Sequence, residues 1–506
     1  MRPGVLVALV TAPALLMAAA CVRAGGTDGL RALTVDATVT VGNLRPFNGV
    51  SGAPSPEFAG RNPMAAPSPI IDVTVAYRAA AIDLIRTHDA FGAGDVDAHF
   101  GGGPPGVAVP ESRNALTIFP DMTADADDPA NYNFAPTDRL IASIRGAGAE
   151  PLFRIGRSIG ADPTPPSDLD KYALIAQHIV RHYNQGWDHG FHDGIRYWEI
   201  WNEPDFKFFW TGSPEQYYAL YEKTALAIKA ADPASLVGGP TIAKPLDAGA
   251  YREDFLAFVR TKQLPLDFFP WHYYTLDAND PDDFVRIAAE LRSVLDSNGF
   301  THTQSILDEW NTDLFDRQIS TGMHASFIAS SLIYMLQAPV DKQVYYRADD
   351  SFRGNSGEPD QVAHAITAFG RMKKSPVLLR SDGADDDGLA LLAGRSEDSR
   401  TVQILISNYQ IPAKYLGPRA AGDRMHISNV MDLQLPSRRS IEYHRNDGYE
   451  LTIKLPKGSY RVRRYRITDA MNDQLVDSSR VSGPSIHLHA ALPPPAIEFI
   501  VLTAVH

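Results

Sequence analysis

YWEIWNEPDFKFFWTGSPEQYYALYEKTALAIKA (197–230) carries the reading on which the fold turns. Its first eight residues, YWEIWNEP (197–204), form an aromatic-rich run of strand length that ends in Asn-Glu-Pro. Ser213-Pro214 then opens a helical pattern over 214–231, with a capping serine followed by proline in the first turn. Seven more short β-like runs have the same texture: PFNGVSG (46–52), LIRTHD (84–89), PLFRIG (151–156), LVGGPT (236–241), LDFFPWHYY (266–274), SILDEWN (305–311) and KQVYYRAD (342–349). Helical patterns at 71–82, 136–147, 168–183, 250–262, 281–297 and 322–337 lie between them. Eight strand–helix units in about 300 residues predict an α/β chain closed as a (β/α)8 TIM barrel. Periodicity alone leaves an open doubly wound sheet as the competitor.

The texture changes near residue 375. LALLAG (389–394), TVQILISNY (401–409), YELTIKLP (449–456), YRVRRYRIT (460–468) and AIEFIVLTA (496–504) are short, partly alternating and separated by turn clusters, which predicts an accessory C-terminal β-sandwich. LTVDATVTVGNLR (33–45) is also strand-like and is expected to join that sandwich. The Gly/Pro-rich stretch 92–114 reads as a long loop over the barrel mouth. At the start, VLVALVTAPALLMAAA (5–20) behind Arg2 has the form of a secretory signal. The expected organisation is a signal peptide over 1–24, an N-terminal strand within 25–45, the barrel over 46–375 and the sandwich over 376–506. Export to a bacterial envelope follows, as a periplasmic, secreted or membrane-anchored protein; cleavage after Ala24 and a lipoprotein signal ending before Cys21, with a lipid anchor on that thiol, are the two alternatives.

The 506 residues hold 60 acidic against 47 basic side chains, a net charge of −13, and no basic run, so no nucleic-acid partner is expected. Cys21 is the one cysteine, which excludes an intrachain disulfide and a cysteine metal site. No HExxH or Asp-rich calcium loop occurs, and GGGPPG (101–106) does not fit a dinucleotide loop. Neither a metal nor another cofactor is expected, and a Ser-His-Asp hydrolase is disfavoured for want of a Gly-x-Ser-x-Gly elbow.

In such a barrel, chemistry gathers at the C-terminal ends of the strands. Those ends carry Arg86 and His88; Arg154 and Arg157; Asn202 and Glu203; His272 and Tyr274; Glu309 and Asn311; and Asp349. Glu203 and Glu309, on the fourth and seventh candidate strands, are the pair that glycoside hydrolysis requires. One carboxylic acid protonates the departing oxygen, and one carboxylate attacks the anomeric carbon or activates water. By strict alternation Glu199 shares a face with Glu203 and reads as a buried partner of an arginine. Asp308, beside Glu309, falls on the opposite face.

YWEIWNEPDF (197–206) with FFW (208–210) is similar to the acid/base segment of the retaining (β/α)8 glycoside hydrolases, and SILDEWN (305–311) to their nucleophile strand. IRTHD (85–89) and WHYY (271–274) extend the likeness to glycoside hydrolase family 39, the β-xylosidase and α-L-iduronidase family, over roughly residues 35–505. The resemblance implies Glu203 as general acid/base and Glu309 as nucleophile. It implies Asn202 at the sugar 2-hydroxyl, His88, His272 and Tyr274 around the sugar or the nucleophile, and Asp349 at another hydroxyl. Arg86 is expected to hold a glutamate rather than touch sugar. Trp201, Trp210, Trp271 and Trp310 are candidates for stacking or for packing, with Trp310 the choice as a sugar contact.

In the iduronidase branch a lysine stands where Tyr274 stands here, so the resemblance implies a neutral sugar, with Arg157 and Arg347 as the cations that would argue otherwise. The expected activity is a retaining exo-glycosidase of β-xylosidase type, acting on an oligosaccharide or polysaccharide-derived glycoside. The alternatives are an endo-acting hydrolase of an envelope or exopolysaccharide and a non-catalytic carbohydrate-binding barrel.

Overall fold

The computed structural model describes residues 29–58, 69–101, 108–275, 280–312, 319–427, 431–441 and 446–505. The expected signal peptide and Cys21 lie outside them. No helix among the described residues is long and apolar enough to cross a membrane.

All eight expected barrel strands form. They are β2 (Gly49–Ser51), β3 (Leu84–Arg86), β4 (Glu150–Ile155), β5 (Tyr197–Ile200), β6 (Leu236–Gly238), β7 (Phe268–Tyr274), β8 (Gln304–Asn311) and β9 (Lys342–Tyr345). They run parallel in sequence order, and β2 closes on β9 through Gly49 opposite Val344. The open doubly wound alternative is thereby excluded. Helices α1 (Thr74–Ala79), α2 (Ala135–Gly146), α3 (Leu169–Gln185), α4 (Pro214–Ala231), α5 (Phe255–Lys262), α6 (Asp283–Ser297) and α7 (Thr321–Met335) connect or follow them. Ser213 caps α4 as its sequence predicts, in a reciprocal box with Gln216. Two helices have no counterpart in the sequence reading, α8 (Ala348–Arg353) and α9 (Gln361–Arg371).

The barrel interior is layered by the period-two rule. Leu84, Leu152, Tyr197, Phe268, Ile306 and Val344 form an apolar layer. Two residues further along four of these strands stand Arg86, Arg154, Glu199 and Asp308, all buried. The C-terminal end of the barrel therefore rests on a polar floor, in which Arg86 pairs with Glu199 and Asp308 while Arg154 pairs with Asp95 from the segment after β3.

The remaining strands are β1 (Leu30–Asn43), β10 (Val377–Asp382), β11 (Leu389–Arg395), β12 (Thr401–Asn408), β13 (Arg424–Ile427), β14 (Met431–Gln434), β15 (Gly448–Lys454), β16 (Ser459–Thr468), β17 (Met471–Ser482), β18 (Ser485–Ala491) and β19 (Ala496–Val505). Nine of them make one ladder, ordered β17-β16-β19-β12-β11-β10-β1-β15-β18, while β13 and β14 form a separate hairpin. Every pair in the ladder is antiparallel except β1 with β15. The N-terminal strand thus joins the accessory sheet as expected. One face closes into its own core around Leu33, Tyr449, Leu451, Val462, Ile500 and Leu502. The other face, with Leu392, Leu405, Ile467 and Phe499, is continuous with the barrel core. Between α7 and the sheet, the Ser330 hydroxyl donates to Ser407 Oγ at 3.0 Å, and Ser407 donates to the Ser326 carbonyl at 2.8 Å.

The segment after β3 packs down rather than flapping free. Within it, Asp95 pairs with Arg154 at 2.6 Å and Asp97 with Arg157 at 2.7 Å, which fixes residues 92–98 over the end of β4. Residues 102–107 of the expected loop lie outside the described part.

Candidate active site

Glu203 is set by the backbone that leads to it. After β5 the chain turns through two left-handed residues, Trp201 at φ 73° and Glu203 at φ 41°. Such conformations cost about 1–3 kcal/mol each and persist where surroundings hold them. Here the buried Trp201 indole donates to the Phe209 carbonyl at 3.0 Å, and the Glu203 N–H to the Thr241 carbonyl at 2.9 Å. Asp205 accepts from the Ala243 and Lys244 N–H groups at 3.0 and 2.9 Å, tying the turn to the loop after β6.

Glu309 arrives by a different device. Pairing of β7 with β8 runs Trp271 opposite Leu307, then His272 opposite Glu309, so Asp308 is an extra residue on β8. This bulge breaks alternation. Asp308 continues the inward direction of Ile306, and Glu309 is brought in beside it. The opposite-face expectation for Asp308 is therefore corrected: both carboxyls reach Arg86, Glu309 at 2.7 Å and Asp308 at 3.5 Å.

Arg86 is the hub of the site. Its Nε and Nη2 grip Glu199 at 2.7 and 2.5 Å, Nη1 donates to Glu309 Oε2 at 2.7 Å, and Nη2 also donates to Asn202 Oδ1 at 2.6 Å. Glu199 is thus the buried arginine partner that its position in the strand suggests. With Oδ1 engaged, Asn202 has its amide Nδ2 buried and without a partner among the described residues. His272 Nδ1 lies 2.7 Å from Glu203 Oε1 and 3.9 Å from Glu309 Oε2. The Tyr274 hydroxyl donates to Glu309 Oε1 at 2.5 Å. His88 Nε2 stands 4.0 Å from Glu309 Oε2. Ligand atoms of Glu203, His272 and Glu309 lie within 4.8 Å of one another, the one such cluster of acidic and histidine groups among the described residues. The Arg86 guanidinium already supplies that cluster with a positive charge.

Electrostatics separates the two glutamates. Burial pushes the Glu203 carboxyl well above the usual range, and the charge of Glu309 pushes it further. Burial raises Glu309 as well, but Arg86 and the Tyr274 hydroxyl pull it back. Of the pair, Glu203 keeps its proton and Glu309 ionises first. Burial and the neighbouring Arg86 hold His272 well below the ordinary imidazole range, so it is neutral.

The structure brings Glu203, Glu309, Asn202, His88, His272, Tyr274 and Arg86 together. Two expected sugar contacts stand elsewhere. The Trp310 indole points away, donating to Gln343 Oε1 at 2.6 Å and packing edge-on against Phe284. Asp349 belongs to α8, and its oxygens accept from Arg347 at 2.5 and 2.9 Å and from Arg353 at 2.6 Å. Gly52 makes room for it: at φ 95°, a Cβ there would lie 2.0 Å from Asp349 Oδ1. Trp201, Trp210 and Trp271 are buried as packing. Sequence reading passed over Asp89, Asp205, Asp308 as a floor residue, and Tyr346; position beside a strand end was the only signal any of them offered.

The profile described as Glycosyl hydrolases family 39 matches residues 113–326, a span containing both glutamates. A solved glucosidase from Croceicoccus marinus is 36% identical, covers 95% of this chain and 100% of its own, and superposes with a TM-score of 0.81. A monomeric β-xylosidase from Caulobacter crescentus CB15 has a TM-score of 0.64 over 94% of this chain and 100% of its own at 17% identity, a likeness of fold. A curated β-xylosidase of Geobacillus stearothermophilus is 27% identical over 248 residues, which is 42% of this chain and 48% of that protein. The chain spans about half the length of that relative. Likeness to one relative along its whole length, and a family profile that takes in both glutamate strands, agree with the barrel and its paired carboxyls: the chain belongs to glycoside hydrolase family 39.

Proposed function

We propose that this protein is a retaining exo-glycosidase that removes a neutral terminal sugar by double displacement. The observation that carries the reading is the pair of buried carboxyls, an oxygen of one within 4.8 Å of an oxygen of the other, with burial favouring the proton on Glu203 and Arg86 favouring the ionised form of Glu309. Retaining enzymes hold their carboxyl groups about 5–5.5 Å apart, whereas inverting ones need roughly 6.5–9.5 Å to admit a water. Glu309 attacks the anomeric carbon as Glu203 gives its proton to the departing oxygen, forming a glycosyl ester on Glu309. Glu203, now a carboxylate facing His272 Nδ1, takes a proton from water as that water displaces the sugar from Glu309. The unpartnered Asn202 Nδ2 donates to the 2-hydroxyl, a contact that strengthens as positive charge builds on the ring.

Two features support a neutral sugar. Arg157 is engaged by Asp97 and by the Asp162 and Thr164 carbonyls, and Arg347 by Asp349. Neither has charge to spare for a uronate carboxylate. Tyr274 stands against the nucleophile where a cation would otherwise recognise one. Within neutral sugars the reading is β-xylosidase-like, supported by two curated relatives bearing that name. The whole-length relative is a glucosidase, which favours a glucoside as the second reading. An aryl glycoside panel of β-xyloside, β-glucoside, β-galactoside, α-L-arabinoside and α-L-iduronide tests it. Turnover of one neutral member supports exo action; turnover of iduronide contradicts the neutral-sugar reading. Silence throughout moves the weight to endo action on a polysaccharide, or to binding alone.

Two results follow. Glu203→Gln lowers kcat by roughly 10²–10⁴-fold on substrates with poor leaving groups and far less on activated aryl glycosides, with azide restoring turnover. The pH profile of the wild type is a bell. Its acid limb is the protonation of Glu309 and its alkaline limb the loss of the Glu203 proton, both displaced upward from the usual carboxyl range by burial. Export belongs to the same reading, by cleavage after Ala24 or by cleavage before Cys21 with acylation of that thiol; intact mass of the protein from its host tells the two apart.

A further inference from the structure

Asp89 ends the His88-Asp89 pair after β3, and the reaction above gives it no part. It is buried, with φ 58°, in the left-handed region. Its Oδ1 accepts from the Ile159 N–H at 2.9 Å and lies 3.3 Å from His88 Nε2. Its Oδ2 accepts from the Tyr346 hydroxyl at 2.8 Å, and Arg347 Nη1 donates to its carbonyl at 3.1 Å. Donors from beyond the ends of β4 and β9 thus converge on one carboxylate beside the nucleophile, with the His88 ring next to it.

A carboxylate only accepts, so the His88 nitrogen that faces it carries the hydrogen. That same Nε2 is 4.0 Å from Glu309 Oε2, and His88 Nδ1 is buried without a partner among the described residues. The geometry assigns Asp89 as a positioning residue: it holds the His88 imidazole between itself and Glu309, with the hydrogen on Nε2 and Nδ1 left as an acceptor. The assignment rests on Glu309 being the nucleophile.

Asp89 also acts through its charge. It opposes ionisation of both Glu203 and Glu309. The other groups facing these carboxyls are Arg86 from β3, His88 after it, Asp205 after β5, His272 and Tyr274 from β7, Asp308 from β8 and Tyr346 after β9. Asp89 itself faces Arg154 from β4, and Tyr346 and Arg347 after β9. Asp89→Asn keeps the size and removes the charge. Ionisation of both glutamates then becomes easier, so both limbs of the bell move to lower pH.

The test is kinetics of Asp89→Asn across pH on the best substrate of the panel. The expected result is a fall in kcat on the order of tenfold to a hundredfold, as when the partner of an orienting histidine is lost at other sites. KM should stay within about twofold, both limbs should move to lower pH, and the fall should shrink in a His88→Gln background. Unmoved limbs with wild-type kcat overturn the assignment. So does a raised KM with kcat and limbs unmoved, the mark of a direct hold on the sugar. If Asp89→Asn does not fold, Tyr346→Phe removes the donor at Oδ2 and should lower kcat with KM kept; unchanged kcat then overturns the assignment. A wild type that turns over no glycoside undoes instead the reading on which the assignment rests.

Discussion

Glu309→Gln lowers kcat by on the order of 10⁴-fold or more on every glycoside the wild type cleaves, with a folded protein and little change in ligand affinity. Glutamine keeps the shape and can still meet the Tyr274 hydroxyl and the Arg86 guanidinium, which the wild-type carboxylate engages at 2.5 and 2.7 Å. What it loses is the nucleophile, and no other carboxyl among the described residues is placed to replace it. Glu203 holds its proton, and Asp308 is pushed well up by burial and by Glu199. In Glu309→Gly, which opens the space that glutamine still fills, formate or azide should restore turnover of activated substrates with inverted configuration, because the small anion enters from the face that Glu309 occupied. A carbohydrate-binding barrel would behave otherwise: its affinity would be kept and there would be no turnover to lose.

Arg86→Met is the second large effect, and it strikes stability as well as rate. Arg86 is fully buried and, among the described residues, is the one cation in contact with Glu199, Glu309 and Asp308. Removing one partner of a buried ion pair costs about 3–5 kcal/mol, because the other charge remains without water and without an answer. Here three carboxyls are left. They relieve the cost by taking up protons, and a protonated Glu309 cannot attack. Urea unfolding should show the loss of stability, and the acid limb of any residual activity should move to higher pH. Arg86→Lys restores charge but not the two-pronged grip on Glu199 with the simultaneous donation to Glu309 and Asn202, so it should recover only part of both. A Met variant as stable as the wild type would contradict the view of Arg86 as the hub.

The barrel was legible because strands buried on both faces read as apolar runs between amphipathic, capped helices. Glu203, Glu309 and their neighbours were legible because polar residues at the ends of such runs have little structural reason to be there. The remainder depended on breaks in regularity. The bulge on β8, which brings Glu309 in beside Asp308, leaves no mark in the alternation of SILDEWN. Asp349 looked like a strand-end residue because its run reads on past β9, whereas the chain turns into α8 and spends the carboxylate on Arg347 and Arg353. Trp310 was misleading for the reason that makes tryptophan a sugar platform, a large flat apolar face, which packing against Phe284 and Tyr345 uses equally well. In the accessory sheet, β17 was invisible because it lies at the edge of the ladder and buries almost nothing, so no hydrophobic pattern announces it.

The most direct test of double displacement through Glu309 is trapping the glycosyl-enzyme. Incubating the protein with the 2-deoxy-2-fluoro glycoside of the sugar identified by the panel, digesting it and sequencing the labelled peptide by mass spectrometry locates the ester. The account predicts one equivalent of fluorosugar on Glu309, within the peptide containing SILDEWN (305–311), and a first-formed product with the anomeric configuration of the substrate. A label on another residue, or a first product of inverted configuration, would contradict it.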